Sequence, residues 1–232
     1  MSNDSKINLH EGHRARMRKR FRDTGFDGFT EHEVLEMILF YSCPRKDTNE
    51  LAHTLINKFG NFAGVIEAEY DDLLNIKNIT ENTATLFKMI PKILPVYYNS
   101  RSDGVIFDSM DKIMRMFETY FVGLTHEEFR IACFDNNLRM LSNILISSRT
   151  PTTSDINMRT IVKEVLRTNA TSAVICHNHP RCDTLASPED RDATKEISHV
   201  LHQLDVQLTD HLIVTEGRTI SLRQMGYVSL FY

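Results

Sequence analysis

No apolar run in this chain approaches the length that crosses a membrane, and the polar N-terminus has no signal-peptide core, so a cytoplasmic location with no membrane partner is expected. An excess of positive charge is also missing. With a formal net charge of -4 the molecule as a whole is no general polyanion binder, and any nucleic-acid contact has to be local. The four cysteines, Cys43, Cys133, Cys176 and Cys182, make no CxxC pair and no zinc-ribbon spacing. Cys133 and Cys176 fall in expected strands and read as small core residues, while Cys182 reads as a spectator thiol. There is no internal repeat and no low-complexity tract. The 41% hydrophobic content in 232 residues is enough for one large or two small domains with their own cores.

Against these absences one stretch stands out. Thr171 to Cys176, with Ala173, Val174 and Ile175, reads as a short buried strand, and Pro180 ends it because proline has no amide to continue a ladder. Alternation along a strand sends His177 and His179 to one side and Asn178 to the other, which places two imidazoles at the strand's exposed end. Ser187 then caps an amphipathic helix with Pro188 at its first position and Ala193, Ile197, Val200, Leu201 and Leu204 on one face. Asp190, at the third helical position, has two readings. It can close a capping box with Ser187, or its carboxylate can join the two imidazoles and leave a fourth tetrahedral position for water, as a catalytic zinc requires.

The order His-x-His-Pro, six residues, Ser-x-x-Asp resembles the JAMM (MPN) metalloprotease class, and the flanking text, including Asp210-His211-Leu212-Ile213-Val214, is similar to its bacterial RadC branch. The resemblance implies one zinc ion held by His177, His179 and Asp190, with Ser187 as hydrogen-bond donor to a tetrahedral oxyanion, and hydrolysis of a peptide or isopeptide bond in an unidentified peptide or protein substrate. It also implies a glutamate on an earlier strand as general base. Here that strand, Arg139 to Ile146, offers Asn143 or Ile144 at the expected place, and neither takes a proton at neutral pH. Glu164 lies on the helix face opposite Ile161 and Val165 and is expected in solvent. Asp155 and Asp183 fall in loops, and nothing in their spacing recommends them. The loop Thr150 to Asp155 lacks the Gly-Thr and Pro-Arg-Glu text usual in RadC relatives. His211 reads as a strand histidine anchored by a neighbour, with accessory ligation as the alternative.

Other zinc chemistries fail on spacing. His10-Glu11-Gly12-His13 is one residue short of HExxH, and no His-x-Glu with a later Pro-Cys-x-x-Cys marks a nucleobase deaminase. A serine hydrolase at Ser187 would need an exposed nucleophile elbow.

Upstream, helix signals dominate. Arg14, Arg16, Arg18, Lys19, Arg20 and Arg22 form an acid-free basic segment that reads either as a solvated helix face or as a phosphate-contacting patch for DNA. Helices are expected from Thr30 to near Pro44, from Asp47 or Thr48 to Gly60, and around Phe62 to Ile66. Asp71 to Ala84 has the outline of the helix-hairpin-helix that precedes the catalytic domain in RadC relatives, with Asn78 and Thr80 at its glycine positions. Asparagine tolerates a left-handed backbone there; threonine does not, and Glu81 brings a charge of the wrong sign for DNA. Pro91 and Pro95 are expected to close the helical part, followed by a linker from Tyr97 to Gly104.

The expectation is therefore an α/β chain: a helical domain with a degenerate helix-hairpin-helix over 1–98, and a JAMM-type domain over 104–232. In the second, the hairpin strands Phe129–Phe134 and Met140–Ile146, two helices, the motif strand, and strands from Val206 and Arg218 predict a mixed sheet flanked by helices, similar to the cytidine-deaminase sandwich. A metal-binding scaffold without turnover and a DNA-associated, repair-type protein are the rival functions.

Overall fold

The computed structural model describes residues 9–44, 47–101, 106–148, 156–180, 186–215 and 218–232, with the side chains of 9–11, 98, 99 and 101 left aside. Cys182, Asp183 and the whole Thr150–Asp155 loop therefore lie outside the described residues. The chain forms two compact units that divide between Pro91 and Lys92.

The first unit is helical: α1 (Leu9–Thr24), α2 (Glu31–Ser42), α3 (Asn49–Phe59), α4 (Phe62–Glu67), α5 (Tyr70–Leu74) and the first half of α6 (Glu81–Arg101). Thr30 and Glu33 start α2 with the expected capping box. Leu35, Leu39, Leu51, Leu55, Val65, Leu73 and Phe87 form its core. In the turn after α5, Asn78 takes a φ of 73°, which asparagine accepts at little cost. Thr80 keeps an ordinary backbone and turns its hydroxyl toward the amide of Thr83 at the start of α6.

One boundary differs from the sequence reading. α6 continues through Pro91 and Pro95 to Arg101, so Tyr97 to Arg101 is helical and not linker. The prolines are four residues apart and lie on one face, so the missing amides and the crowding they cause are confined to that face.

The second unit adds α7 (Met110–Phe121), β1 (Phe129–Phe134), β2 (Met140–Ser147), α8 (Met158–Thr168), β3 (Ser172–His179), α9 (Pro188–His202), β4 (Gln207–Thr215), β5 (Arg218–Ser221) and a short 3-10 turn, Val228–Leu230. The sheet order is β2-β1-β3-β4-β5, with β3 and β4 parallel and every other neighbouring pair antiparallel. It is the mixed sheet the sequence predicts. The parallel pair is joined through α9, the crossover such a pair needs.

Alternation along the central strands sorts the two faces. Phe129, Ile131, Cys133, Ala173 and Ile175 pack under α8 and α9 against Ile161, Val165, Ile197 and Leu201. Ala132, Phe134, Val174, Cys176 and Leu212 pack on the other face against Ile113, Met116, Phe117 and Tyr120 of α7. Cys43, Cys133 and Cys176 are buried free thiols, as small core residues should be.

Because α9 carries Asp190 on its first turn, the apolar seat of this helix sets where that carboxylate lies. Ile197 is fully buried in the seat. Truncating it to Ala is expected to cost about 2–5 kcal/mol and to Val only about 0.5–1.5 kcal/mol, measured by denaturant unfolding.

Candidate metal centre

Period-two geometry points His177 and His179 toward the same face as Ala173 and Ile175, the face covered by α9. β3 runs to His179, up to the expected stop at Pro180, but the imidazoles are not at an exposed tip. His177 is fully buried and His179 largely so. The burial follows from pairing on both sides, since His177 is in register with Phe129 of β1 and with Ile213 of β4. The ring of Phe129 lies nearly parallel to that of His177 at 6.0 Å between centroids and closes one wall of the site.

Asp190 closes the capping box and also brings its carboxylate to the two imidazoles. Its Oδ2 accepts from the amide and the hydroxyl of Ser187, each at 2.8 Å, while its own amide donates to Ser187 Oγ at 3.0 Å, a complete capping box. Its Oδ1 is left 3.1 Å from His177 Nε2, and its Oδ2 is 3.8 Å from His179 Nε2. The two Nε2 atoms are 2.9 Å apart. One ligand atom from each of His177, His179 and Asp190 lies within 4.8 Å of the other two, the only such group among the described residues. Two imidazole nitrogens and a carboxylate oxygen, converging at a buried point, are a donor set suited to a tetrahedral zinc with one open position.

The electrostatics follow from that burial. Removal from water pushes the Asp190 carboxyl up, but the hydrogen bond and charge of His177, followed by the hydroxyl and amide of Ser187, outweigh it and hold the acid well below the usual carboxylate range. His211 is shifted the other way for a base. Its complete burial, with the neighbouring charges of His177 and His179, holds it well below the usual imidazole range, so it is neutral.

Comparison with known proteins decides the family. The RadC-like JAB domain matches residues 107–227. The chain belongs to the RadC family. Two relatives are UPF0758 proteins: one from Fusobacterium nucleatum subsp. nucleatum is 28% identical over 94% of this chain and 98% of its own length. One from Ruegeria pomeroyi is 29% identical over 93% of this chain and 97% of its own. The mixed sheet flanked by helices is that of a RadC-like JAB domain, and membership points to the JAMM-type, metal-dependent hydrolases. Among the described residues no helix is long and apolar enough to cross a membrane.

Other residues singled out by sequence have more specific places in this RadC protein than spacing could assign. Asn143 uses its side-chain oxygen to accept from Arg130 Nε at 3.3 Å, and Ile144 packs against the sheet core. Glu164 is buried, contrary to expectation, because Arg167 one turn on folds over it with contacts of 2.6 and 2.8 Å. The Ser187 hydroxyl already donates to Asp190. His211 is anchored, with its nitrogens against His177 Nδ1 and Thr194 Oγ1. Among the basic residues, Arg14 donates to the carbonyls of Cys43 and Pro44 at the end of α2, and Arg20 pairs with Glu33 under the Phe29 ring. Arg16, Arg18, Lys19 and Arg22 remain exposed.

Two contributors were missed. Thr194 is four residues after Asp190 and so shares its helix face, a placement the helical period alone could have shown. Asn178, pointing away from the imidazoles, takes the amide of Glu128 on its oxygen at 2.7 Å and donates to the carbonyl of His126 at 3.0 Å. No sequence signal announces that clamp.

A lowered carboxyl stabilises the fold above the unfolded-state pKa and loses that contribution as pH falls toward the folded value. Metal-free protein is therefore expected to lose stability on acidification below about pH 4, and Asp190→Asn to lose less over the same interval, measured by urea unfolding at successive pH values.

Proposed function

We propose that the chain is a zinc-dependent hydrolase of peptide or isopeptide bonds, with His177, His179 and Asp190 as the metal ligands. The observation that carries this reading is the convergence of these three buried donors in a RadC-like JAB domain. A zinc ion in such a site supplies Lewis acidity, lowering the pKa of water and polarising a carbonyl. The protein's own part is to hold the donors. The Ser187 amide keeps Asp190 Oδ2 in place, which frees the Ser187 hydroxyl to turn from that oxygen toward a developing oxyanion.

Proton transfer needs a carboxylate that β2 does not provide. Glu127 is our candidate. It directly precedes the strand whose Phe129 pairs with His177, and Asn178 clamps the backbone on both sides of it. One of its carboxylate oxygens is buried with no hydrogen-bond partner among the described residues. By contrast, Glu128 is committed to Arg130 and Glu164 to Arg167.

A second reading, a metal-binding module without turnover, is favoured by the commitment of Asn143 and Ile144 to packing. Zinc analysis of purified protein is expected to find about one ion per chain, falling to a minor fraction in His179→Ala. Full retention in that variant would remove the ligand assignment. On the same samples, assayed with fluorogenic peptides and an isopeptide-linked peptide, the parent is expected to hydrolyse and Glu127→Gln to lose about a hundred- to ten-thousand-fold in rate with its zinc retained. Zinc-loaded parent with no hydrolysis would establish the second reading.

A DNA-associated role rests on the four exposed cations of α1. If they contact phosphates, replacing Arg16, Arg18, Lys19 and Arg22 by Gln lowers the salt slope of duplex binding by about three to four. An unchanged slope would exclude this surface.

A further inference from the structure

The helical unit carries a surface that the hydrolytic reading does not use. Met17, buried with Met37 and Phe40, seats one side of α1. Arg20 closes over that seat, paired with Glu33 at 2.9 Å and lying 4.0 Å over the ring of Phe29. One turn beyond Met17, Phe21 has left the core and is 37% exposed. Its ring meets that of Phe26 at 4.6 Å between centroids, and Phe26 meets Phe29 edge-on at 5.5 Å. Phe26 is the more open of the pair, at 44%.

The turn that presents Phe26 is firmly built. Gly25 takes a φ of 64° and donates to the Phe21 carbonyl at 2.8 Å, while the amide of Phe29 donates to the Phe26 carbonyl at 3.0 Å. Gly28, at a φ of 71° that other residues adopt only at a cost, has its carbonyl held by the Arg20 guanidinium. Backbone geometry therefore fixes Phe21 and Phe26 as a two-ring ridge. Helical period sets Arg18 three residues before Phe21 and Arg22 four after Arg18, so both line the side of α1 next to the ridge, with Lys19 beside them. All three are exposed. Among nearby acids, Glu33 is taken by Arg20, Asp23 leaves with Arg16 on the side of α1 opposite Phe21, and Asp27 follows Phe26 in the turn.

Cations for phosphates beside ring faces for bases are the two halves of a single-strand site. A duplex keeps its base faces inside the stack and could use the cations alone. A lipid surface would take rings and cations together, but as a plane it would also press the exposed Asp27 carboxylate into anionic headgroups. A strand can pass along the Arg18 side and avoid that carboxylate. We propose that Phe21 and Phe26, with Arg18, Lys19 and Arg22, form a binding site for single-stranded nucleic acid, its bases stacked on the rings and its phosphates against the cations. The proposal rests on the phosphate-contact reading of α1 given above and adds the strand form that is recognised. Arg18 and Arg22 stand one turn, about 6 Å, apart along the helix axis, a separation that suits consecutive phosphates of an extended strand.

The test is fluorescence anisotropy with the full-length protein, short labelled oligo(dT) or oligo(rU), and the matching duplex at one salt concentration. A single strand is expected to bind roughly tenfold more tightly than the duplex, and the two oligomers tell DNA from RNA. Equal or weaker single-strand binding would overturn the proposal. Phe26→Leu keeps apolar bulk on the turn and removes the π face. It is expected to weaken single-strand binding about five- to a hundredfold and to leave duplex binding and its salt slope as in the parent, while Phe26→Tyr keeps both. Parental single-strand affinity in Phe26→Leu would sink the stacking and leave the phosphate reading in place. If Arg18, Lys19 and Arg22 are replaced together by Gln with no change in the salt slope of either form, the phosphate reading fails and the proposal with it. Binding to phosphatidylserine vesicles but to no oligomer would likewise reject it and assign the surface to lipid.

Discussion

Asp190 divides its two oxygens between two tasks, and the site is built on that division. Oδ2 is spent on the first turn of α9, where it accepts from Ser187, and Oδ1 is aimed at the imidazoles of β3. A carboxylate bound at one oxygen only could rotate away. Here the capping box fixes its orientation, so capping the helix and facing the imidazoles are two halves of one arrangement. The same division explains its low pKa, because neither oxygen can be protonated without losing a partner that burial makes expensive to replace.

Burial of so many polar groups is costly unless each is paired, and the second unit pairs them in sequence. His177 leans on His211, His211 on Thr194, and Thr194 on the first turn of α9. On the neighbouring strand residue, Asp210 takes the hydroxyl of Ser221 at its other edge, so that β4 and β5 close the far side. A site of this kind has rigid walls. The strand of His177 and His179 is central, flanked by β1 and β4, and the opposing helix is seated by Ile197 and Leu201 in the main core. Preorganisation follows because the donors are held by elements that cannot shift without opening that core.

Much of this was legible in the sequence, for a physical reason. Period-two alternation places His177 and His179 on one face whatever the length of the strand, and Ser-Pro with acids in the first turn starts a helix in almost any context. The depth of the site was not legible. Strand pairing on both sides covers the His177 end of β3, and no local pattern reports what a strand's neighbours will be. Glu164 was misplaced for a related reason, since helical period tells which way a side chain leaves but not that Arg167 will fold over it. At α6, two prolines read as a stop, yet with both on one face the helix continues.

The position on β2 where a general base is expected shows how far packing can redirect a site. Asn143 is tied to Arg130, whose guanidinium also pairs with Glu128 and lies 4.4 Å over the ring of Tyr120. That cluster sits on the face of α7, away from the imidazoles. A carboxylate at residue 143 would therefore join the arginine instead of the imidazoles, and one at residue 144 would face the apolar core beneath α8. Restoring the acid on β2 by a single substitution would thus not restore a base. A hydrolytic reading of the site therefore needs its base outside β2, and on the segment held by Asn178 one Glu127 carboxylate oxygen is buried with no hydrogen-bond partner among the described residues.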